Sequence, residues 1–217
     1  MWIITFIPLI VTLILINFLP AEVPMHYDFE GNIDRWGSKY EQLILPVVTI
    51  VMTLFMQALI WFYSKQSDKT EDEKKKAELK SNINVLYIVS IATTVMFIVL
   101  QGVFLYQAFE ATPETTTMTV DINQIITVML GVILIVFGNY MPKTKINGMV
   151  GFRTSKTMKS EENWKKANRF AGIVFAILGI AMVVLGLSVP GNVAMAIAMV
   201  MLLLGLVVCM MYVSKLD

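Results

Sequence analysis

Residues with the chemistry of metal ligands or general bases are concentrated in one segment, residues 20–42, which contains the only histidine of the chain. Three carboxylates, Asp28, Glu30 and Asp34, follow His26 closely. Imidazole and carboxylate groups bind zinc or calcium and also serve as general bases. Their spacing matches no established zinc or calcium pattern. Metal binding by His26, Asp28 and Asp34 is therefore an alternative only, and we expect no cofactor.

The sequence lacks the short motifs of the common enzyme classes. It contains no His-Glu-x-x-His, no Gly-x-Ser-x-Gly and no P-loop. The single cysteine, Cys209, lies in an apolar stretch, so it forms no intrachain disulfide and offers no exposed thiol nucleophile. We therefore predict that the protein is not an enzyme. A metal-dependent membrane enzyme centred on residues 20–42 is the alternative.

Apolar stretches flank this segment on both sides and make up most of the chain. Of 217 residues, 57% are hydrophobic and 15% are charged, which is too apolar for an ordinary soluble domain. A helix of about 20 residues crosses the hydrocarbon core of a bilayer. Six uncharged stretches approach or exceed that length, so we predict an all-α integral membrane protein with a six-transmembrane-helix bundle. The predicted spans are residues 2–19, 43–63, 83–108, 122–141, 170–188 and 193–213.

The distribution of charge between the loops predicts the orientation. Residues 64–82 and 142–169 carry six and eight of the seventeen Lys and Arg residues. Residues 20–42 carry two bases against five acids, and residues 109–121 carry three acids and no base. Basic flanks stay in the cytoplasm. We therefore predict a multi-pass protein of the bacterial plasma membrane with both termini inside (N-in/C-in).

The same pattern divides the chain into three parts. Residues 1–63 form an N-terminal membrane domain of two spans, residues 64–82 a charged cytoplasmic linker, and residues 83–217 a four-span region with the basic cytoplasmic loop 142–169. Acids precede bases at i,i+4 spacing in the linker, which favours a solvated helical extension of the spans. The predicted pairs are Glu71 with Lys75 and Asp72 with Lys76.

Local signals in residues 142–169 predict a turn followed by a helix. Asn147-Gly148 favours a tight turn with positive φ, and Ser160 is a typical N-cap. Trp164 shares a helical face with Ala167, Asn168 and Ala171. We expect an interfacial helix that runs into the fifth span, with Trp164 at headgroup depth.

Two features within the spans also indicate packing. Gly172, Gly179 and Gly186 recur every seven residues, which predicts a smooth groove for close helix packing. Asn139, near the inner end of the fourth span, is an amide in or near hydrocarbon that requires a partner. A small-molecule or ion transporter is a further alternative, but the spans lack the ionisable residues that such transporters bury.

Two motifs resemble known families. Pro24-Met25-His26, Gly31 with Asp34, and Gly37-Ser38-Lys39 are similar to a small membrane domain of unknown function. A second set resembles the signature of the SdpI/YfhL family, with Phe152 where Ile or Leu is usual. This set comprises Asn147, Gly148, Gly151, Phe152, Arg153, Thr154, Trp164, Asn168, Arg169 and Phe170.

The resemblance implies a six-span immunity protein that confers resistance to a secreted membrane-active peptide toxin. It also implies recruitment of a cytoplasmic transcriptional repressor to the membrane. The expected partners are thus membrane lipid, the toxin and the repressor, with no direct binding to nucleic acid. Candidates for the outer, toxin-facing side are Pro24, His26, Gly31, Asp34 and Trp36. Candidates for the inner-face motif are Asn139, Asn147, Gly151, Arg153, Thr154, Trp164, Asn168 and Arg169.

Overall fold

The computed structural model describes residues 2–148 and 150–216 and consists of helices plus one β-hairpin. The helices are α1 (Trp2–Leu15), α2 (Ile44–Lys69), α3 (Glu73–Glu110), α4 (Ile122–Tyr140), α5 (Glu161–Ser188) and α6 (Gly191–Ser214). Helices α2 to α6 are long and apolar enough to cross a membrane. Helix α1 with the 3-10 turn after it, Trp2–Phe18, is apolar but shorter. The predicted all-α membrane bundle is confirmed, with six helices in the described part of the chain.

The chain folds as two compact units, whose boundaries fall inside α2 and α3. The first comprises Met1–Leu59 and Tyr87–Ile122, and the second Ile60–Leu86 and Asn123–Asp217.

The interior of the first unit combines an apolar cluster around Leu19, Val23 and Leu105 with several buried polar side chains, whereas many of its large apolar side chains are exposed. The Oγ1 atoms of Thr5 and Thr53 lie 3.3 Å apart and are buried. Pro8 lies inside α1, and the Thr12 hydroxyl donates a hydrogen bond to the Pro8 carbonyl at 2.7 Å. Hydroxyl and amide side chains join helices within lipid, because lipid offers polar groups no alternative partner.

The segment between α1 and α2 forms an antiparallel hairpin of β1 (Glu22–Tyr27) and β2 (Ile33–Ser38). These strands were not predicted from the sequence. Glu22 pairs with Ser38 and Tyr27 with Ile33, and the register shifts around His26. The 3-10 turn Lys39–Leu43 then leads into α2.

The glycine groove predicted in the fifth span is confirmed in the second unit. A Cβ on Gly172 would lie 2.5 Å from the Gly138 carbonyl oxygen, and one on Gly179 would lie 2.5 Å from that of Gly131. Helices α4 and α5 therefore touch through their backbones. On α5, the ring of Phe170 stacks on Tyr212 of α6 with centroids 4.0 Å apart.

The charged linker is largely helical, because α2 continues to Lys69 and α3 begins at Glu73. The predicted pairs of Glu71 with Lys75 and Asp72 with Lys76 are wrong, since both acids precede the helix. The Asp72 carboxylate instead accepts the Lys74 backbone N–H at 2.9 Å, an N-terminal cap. Lys76 pairs with Glu73 at 3.7 Å.

Candidate functional site

Both loops predicted to lie outside belong to one structure in the first unit, the hairpin cap, defined as residues 22–43 with residues 111–118. The backbone N–H of Ile33 donates to the Thr116 carbonyl at 2.8 Å, and the N–H of Met118 donates to the Gly31 carbonyl at 2.9 Å. A bridge between Asn32 and Thr117 extends this pairing. The two loops therefore lie on the same side of the bundle, as the charge distribution predicts.

Asp28 and Gly31 form the turn of the hairpin. The Asp28 carboxylate accepts the side-chain N–H of Asn32 at 2.8 Å and the backbone N–H groups of Asn32 and Glu30 at 2.8 and 2.9 Å. These hydrogen bonds, chiefly from the Asn32 side chain, hold the pKa of Asp28 below its usual value. Gly31 adopts φ +91°, a backbone conformation that residues other than glycine rarely adopt. Both residues have a structural role.

The structure brings His26 and Asp34 together. The Nδ1 atom of His26 lies 2.6 Å from Oδ1 of Asp34, and both side chains are exposed, by 64% and 45%. Asp28, the third residue of the alternative metal set, is engaged in its own turn. Within the described residues, no group of three His, Cys, Asp or Glu side chains is placed to hold a metal ion.

The last two outer-side candidates lie opposite each other in the hairpin. Pro24 is buried on β1 and pairs with the half-buried Trp36 on β2. Next to them, Arg35 donates to Glu41 at 2.9 Å, and the Ser38 N–H donates to Glu41 at 3.0 Å. Glu41 thereby links the hairpin to the 3-10 turn before α2.

A cavity of about 270 Å³ lies in the first unit, between the hairpin and α2 and α3. Its apolar walls include Pro24, Met25, Leu45 and Phe104. Gln101 contributes a buried amide. The full lining is Pro24, Met25, Arg35, Glu41, Gln42, Ile44, Leu45, Gln101 and Phe104.

The second candidate region is the basic loop, residues 142–160, with the start of α5. Asn147 is fully buried and shapes the turn: its Oδ1 accepts the Val150 N–H at 2.7 Å, and its Nδ2 donates to the Val150 and Lys145 carbonyls. Neither Asn147 nor Gly148 adopts positive φ, which among the described residues occurs only at Gly31 and Gly151. The side chain of Asn147 bonds the backbone instead.

Trp164 lies beneath this loop. It is 1% exposed, and its indole N–H donates to the Thr144 carbonyl at 2.8 Å. The loop covers this ring, so Trp164 is not an exposed interfacial anchor, and its depth in the membrane stays a prediction. The predicted face is confirmed: Trp164, Ala167, Asn168 and Ala171 are all buried on α5, which runs without a break into the fifth span.

Asn168 fixes the loop to α5. Its Oδ1 accepts the Phe152 N–H at 2.7 Å, and its Nδ2 donates to the Trp164 carbonyl at 3.0 Å. Gly151 has φ +125°, and a Cβ there would lie 2.6 Å from Oδ1 of Asn168 and 2.8 Å from the Trp164 ring. The position therefore requires glycine both for backbone conformation and for space.

The remaining inner-face candidates lie in different elements: α4, the loop and α5. Thr154 bonds Thr157 within a turn, its N–H donating to the Thr157 hydroxyl at 2.8 Å. Asn139 is exposed and satisfies its amide on its own helix, by donating to the Ile135 carbonyl at 2.9 Å. Arg153 and Arg169 are exposed, and neither makes a hydrogen bond or ion pair within the described part of the chain.

Two residues that make long-range contacts, Lys156 and Gln101, are absent from the predicted site residues. Lys156 donates to the carbonyls of Ser214 at 2.8 Å and Leu216 at 2.7 Å, so it caps the C-terminal end of α6. No local signal identifies a contact that spans this much sequence. Gln101 was visible as a rare amide in an apolar stretch, which is a signal for a buried polar contact.

Comparisons with known proteins agree with the two motifs. Residues 143–213 match the SdpI/YfhL protein family, and residues 3–50 match a domain of unknown function (DUF1648). The chain is 29% identical over 199 residues to the Immunity protein SdpI of Bacillus subtilis (strain 168), covering 91% of this chain and 84% of that protein. No solved structure matches the chain. The resemblance drawn from the motifs is confirmed: this is a multi-pass cell-membrane protein that carries the SdpI/YfhL family region.

Proposed function

We propose that this chain is a membrane immunity protein that gives its cell resistance to a secreted membrane-active peptide toxin. The observation that carries the proposal is the likeness to an immunity protein along 91% of the chain. That likeness includes both the hairpin cap and the basic loop. An ordered cap on the predicted outer side is a suitable first contact for a peptide arriving from outside.

The excess of acidic side chains on the hairpin cap supports the proposal that the toxin is cationic. Glu22, Glu30, Asp34 and Glu114 are exposed there, against two bases in residues 20–42. A surface of one sign raises the local concentration of an oppositely charged ligand and its rate of association, and salt weakens the effect. The exposed pair of His26 and Asp34 lies within this acidic surface.

The test is expression in a sensitive bacterial strain, challenged with cationic membrane-active peptides and with culture supernatant of the source organism. We expect the chain to raise the lethal peptide concentration, and deletion of residues 20–42 to abolish protection. The triple variant E22Q/E30Q/E114Q removes three exposed acids that make no side-chain hydrogen bond, so it should lower protection several-fold, most strongly at low salt.

The matched control is D68N/E71Q/E161Q, which removes three exposed acids from the predicted cytoplasmic side. It should keep full protection. Equal loss in both triple variants would contradict a contact at the cap. Unchanged killing of cells that demonstrably insert the wild-type chain would remove the immunity proposal.

We further propose a second role, recruitment of a cytoplasmic repressor to the basic loop. Arg153 is exposed on a loop held by hydrogen bonds, and Arg169 is exposed on α5 next to Asn168; this exposure supports the second role. Arg153→Ala should abolish co-sedimentation of a repressor with membranes while protection persists, because the side chain holds nothing in the fold. Lys143→Ala, another exposed base, is the control. Loss of protection and recruitment together would show that Arg153 is structural.

A further inference from the structure

The chain contains one histidine, and the structure places it on the acidic surface of the hairpin cap. The side chain of His26 is 64% exposed, and its Nδ1 atom lies 2.6 Å from Oδ1 of Asp34. Histidine is the one side chain whose ordinary pKa brings its change of charge between about pH 5 and pH 8. Acidification in this range therefore adds a positive charge to the cap directly beside one of its carboxylates.

The geometry of this pair allows the charge to change while the contact persists. A carboxylate only accepts hydrogen bonds, so Nδ1 of His26 is the donor and the neutral ring carries its proton there. The other ring nitrogen, Nε2, makes no hydrogen bond within the described residues and takes up the second proton. Protonation of His26 thus alters the charge of the surface without breaking a bond that holds the hairpin.

The other charged groups of the cap keep their charge in this range. Two are bases: Lys39 and Arg35, which lies opposite His26 in the hairpin register. Asp and Glu ordinarily ionise below about pH 5, and hydrogen bonds, chiefly from the Asn32 side chain, lower the pKa of Asp28 further. Burial raises the pKa of Tyr27, the neighbour of His26, to about 12, so its hydroxyl stays neutral. Besides Asp34, the carboxylates of the cap are Glu22, Asp28, Glu30, Glu41 and Glu114.

We propose that His26 is a pH sensor that controls how strongly the cap attracts a cationic peptide. At neutral pH the imidazole is uncharged, and the Asp34 carboxylate adds its full charge to the acidic surface. In acid the imidazolium, 2.6 Å from that carboxylate, cancels most of its field, so the cap attracts a cation less strongly.

This inference rests on the proposed immunity function and on the predicted outer position of the cap, where His26 experiences the pH of the medium. The association of toxin with the cap is therefore strongest in neutral medium and weaker in acid. Loss of the interaction of one exposed charge lowers affinity by roughly two- to fivefold.

The experiment uses the full chain in phosphatidylcholine nanodiscs at low salt, with rhodamine-labelled hexalysine as the cationic probe. Binding is measured by fluorescence anisotropy in steps from pH 7.5 to pH 5.5. We expect saturable binding to the wild type that is roughly two- to fivefold weaker at the lower pH. Its midpoint should coincide with the titration of the single imidazole, followed by NMR of isotope-labelled histidine.

Two substitutions at the exposed position of His26 hold the sensor in its two states. His26→Gln remains neutral and can still donate to Asp34, so it should bind the probe at both pH values as tightly as wild type does at pH 7.5. His26→Lys remains charged and should bind weakly at both. Melting temperatures equal to that of the wild type show that both variants fold.

Affinity that does not change with pH, or a change that persists in His26→Gln, would overturn the proposal. A midpoint that differs from that of the imidazole, or no saturable binding to the wild type, would do the same. Toxin challenge separates this proposal from immunity. Protection by the wild type combined with pH-independent probe binding overturns the sensor alone. Binding that depends on pH, without protection at either pH, overturns immunity and the toxin as the ligand of the cap.

Discussion

Replacing Asn168 by leucine tests whether the SdpI/YfhL signature acts by holding the basic loop on α5. Asn168 is completely buried and makes two side-chain hydrogen bonds. The one to the Phe152 N–H, at 2.7 Å, joins residues sixteen positions apart. Leucine has the same number of side-chain heavy atoms, so the change removes the polar contacts and adds only the bulk of two methyl groups.

The loss is dominated by the Phe152 N–H. A buried donor without a partner costs about 1–3 kcal/mol. The Trp164 carbonyl, the other partner, lies within a helix that already uses it, so its loss adds little. In a protein of this length, 1 kcal/mol changes the melting temperature by roughly 2–4 °C. We therefore expect Asn168→Leu to melt about 2–12 °C below wild type.

The assay is thermal unfolding of purified protein in nanodiscs at one fixed scan rate, because unfolding of such proteins is often irreversible. Arg169→Leu is the matched control, since it introduces the same side chain at the adjacent exposed position. Surface changes usually stay within about 0.5 kcal/mol. Amide hydrogen exchange at residues 150–158 should accelerate only in Asn168→Leu. Equal melting temperatures and equal exchange in both variants would refute the assigned role of Asn168.

Further substitutions test other contacts. Gly138→Ala should destabilise by about 1–3 kcal/mol, because its Cβ would lie 2.5 Å from a backbone carbonyl of α5. Gly102→Ala, with nothing within 4 Å, should be neutral or stabilising in the same melts. Trp164→Phe should cost about 1–3 kcal/mol for the Thr144 carbonyl left without its donor, with a further cost for the space that the smaller ring leaves. A change in stability within about 0.5 kcal/mol, as at exposed positions, would contradict burial of the ring. The pKa of Asp28 is lowered in the fold, so its contribution is present at neutral pH and lost as pH falls below 3.8. Protection factors in the hairpin turn, corrected for the intrinsic pH dependence of amide exchange, should therefore fall at acidic pH in wild type, and Asp28→Asn should remove that fall.

The spans, and which loops lie on the same side, were predictable from the sequence because lipid imposes two simple rules. Every crossing must be long and apolar, and bases avoid translocation. The structure agrees with the predicted grouping of loops within each unit, since residues 116–118 bond to the hairpin and Lys156 bonds to the end of α6. Which ends of the helices face the cytoplasm rests on the charge distribution and stays a prediction.

The hairpin and the burial of Trp164 were not predictable from local pattern. Residues 22–38 read as a turn-rich segment because Pro24, Gly31 and Gly37 interrupt any alternation of polar and apolar residues. The strands form because residues 116–118 and the Asp28 turn satisfy the backbone. Trp164 was interpreted as an interfacial anchor because aromatic residues next to basic residues usually lie at the membrane–water interface. The loop that covers it is fixed by long-range contacts, which no periodicity reports.

The residues of the family signature form two groups: those that hold the basic loop on α5, and those that are exposed. Asn147, Gly151, Trp164 and Asn168 are buried or sterically confined, and each bonds or packs against the loop itself. Arg153 and the neighbouring Arg169 are exposed and hold nothing in place within the described residues. If the signature were only structural, two exposed arginines would contribute nothing to it. Arg153 lies on a loop held by several hydrogen bonds, and Arg169 lies on α5 next to Asn168, which binds that loop. These two side chains, and not the buried amides, are therefore the place to look for a partner.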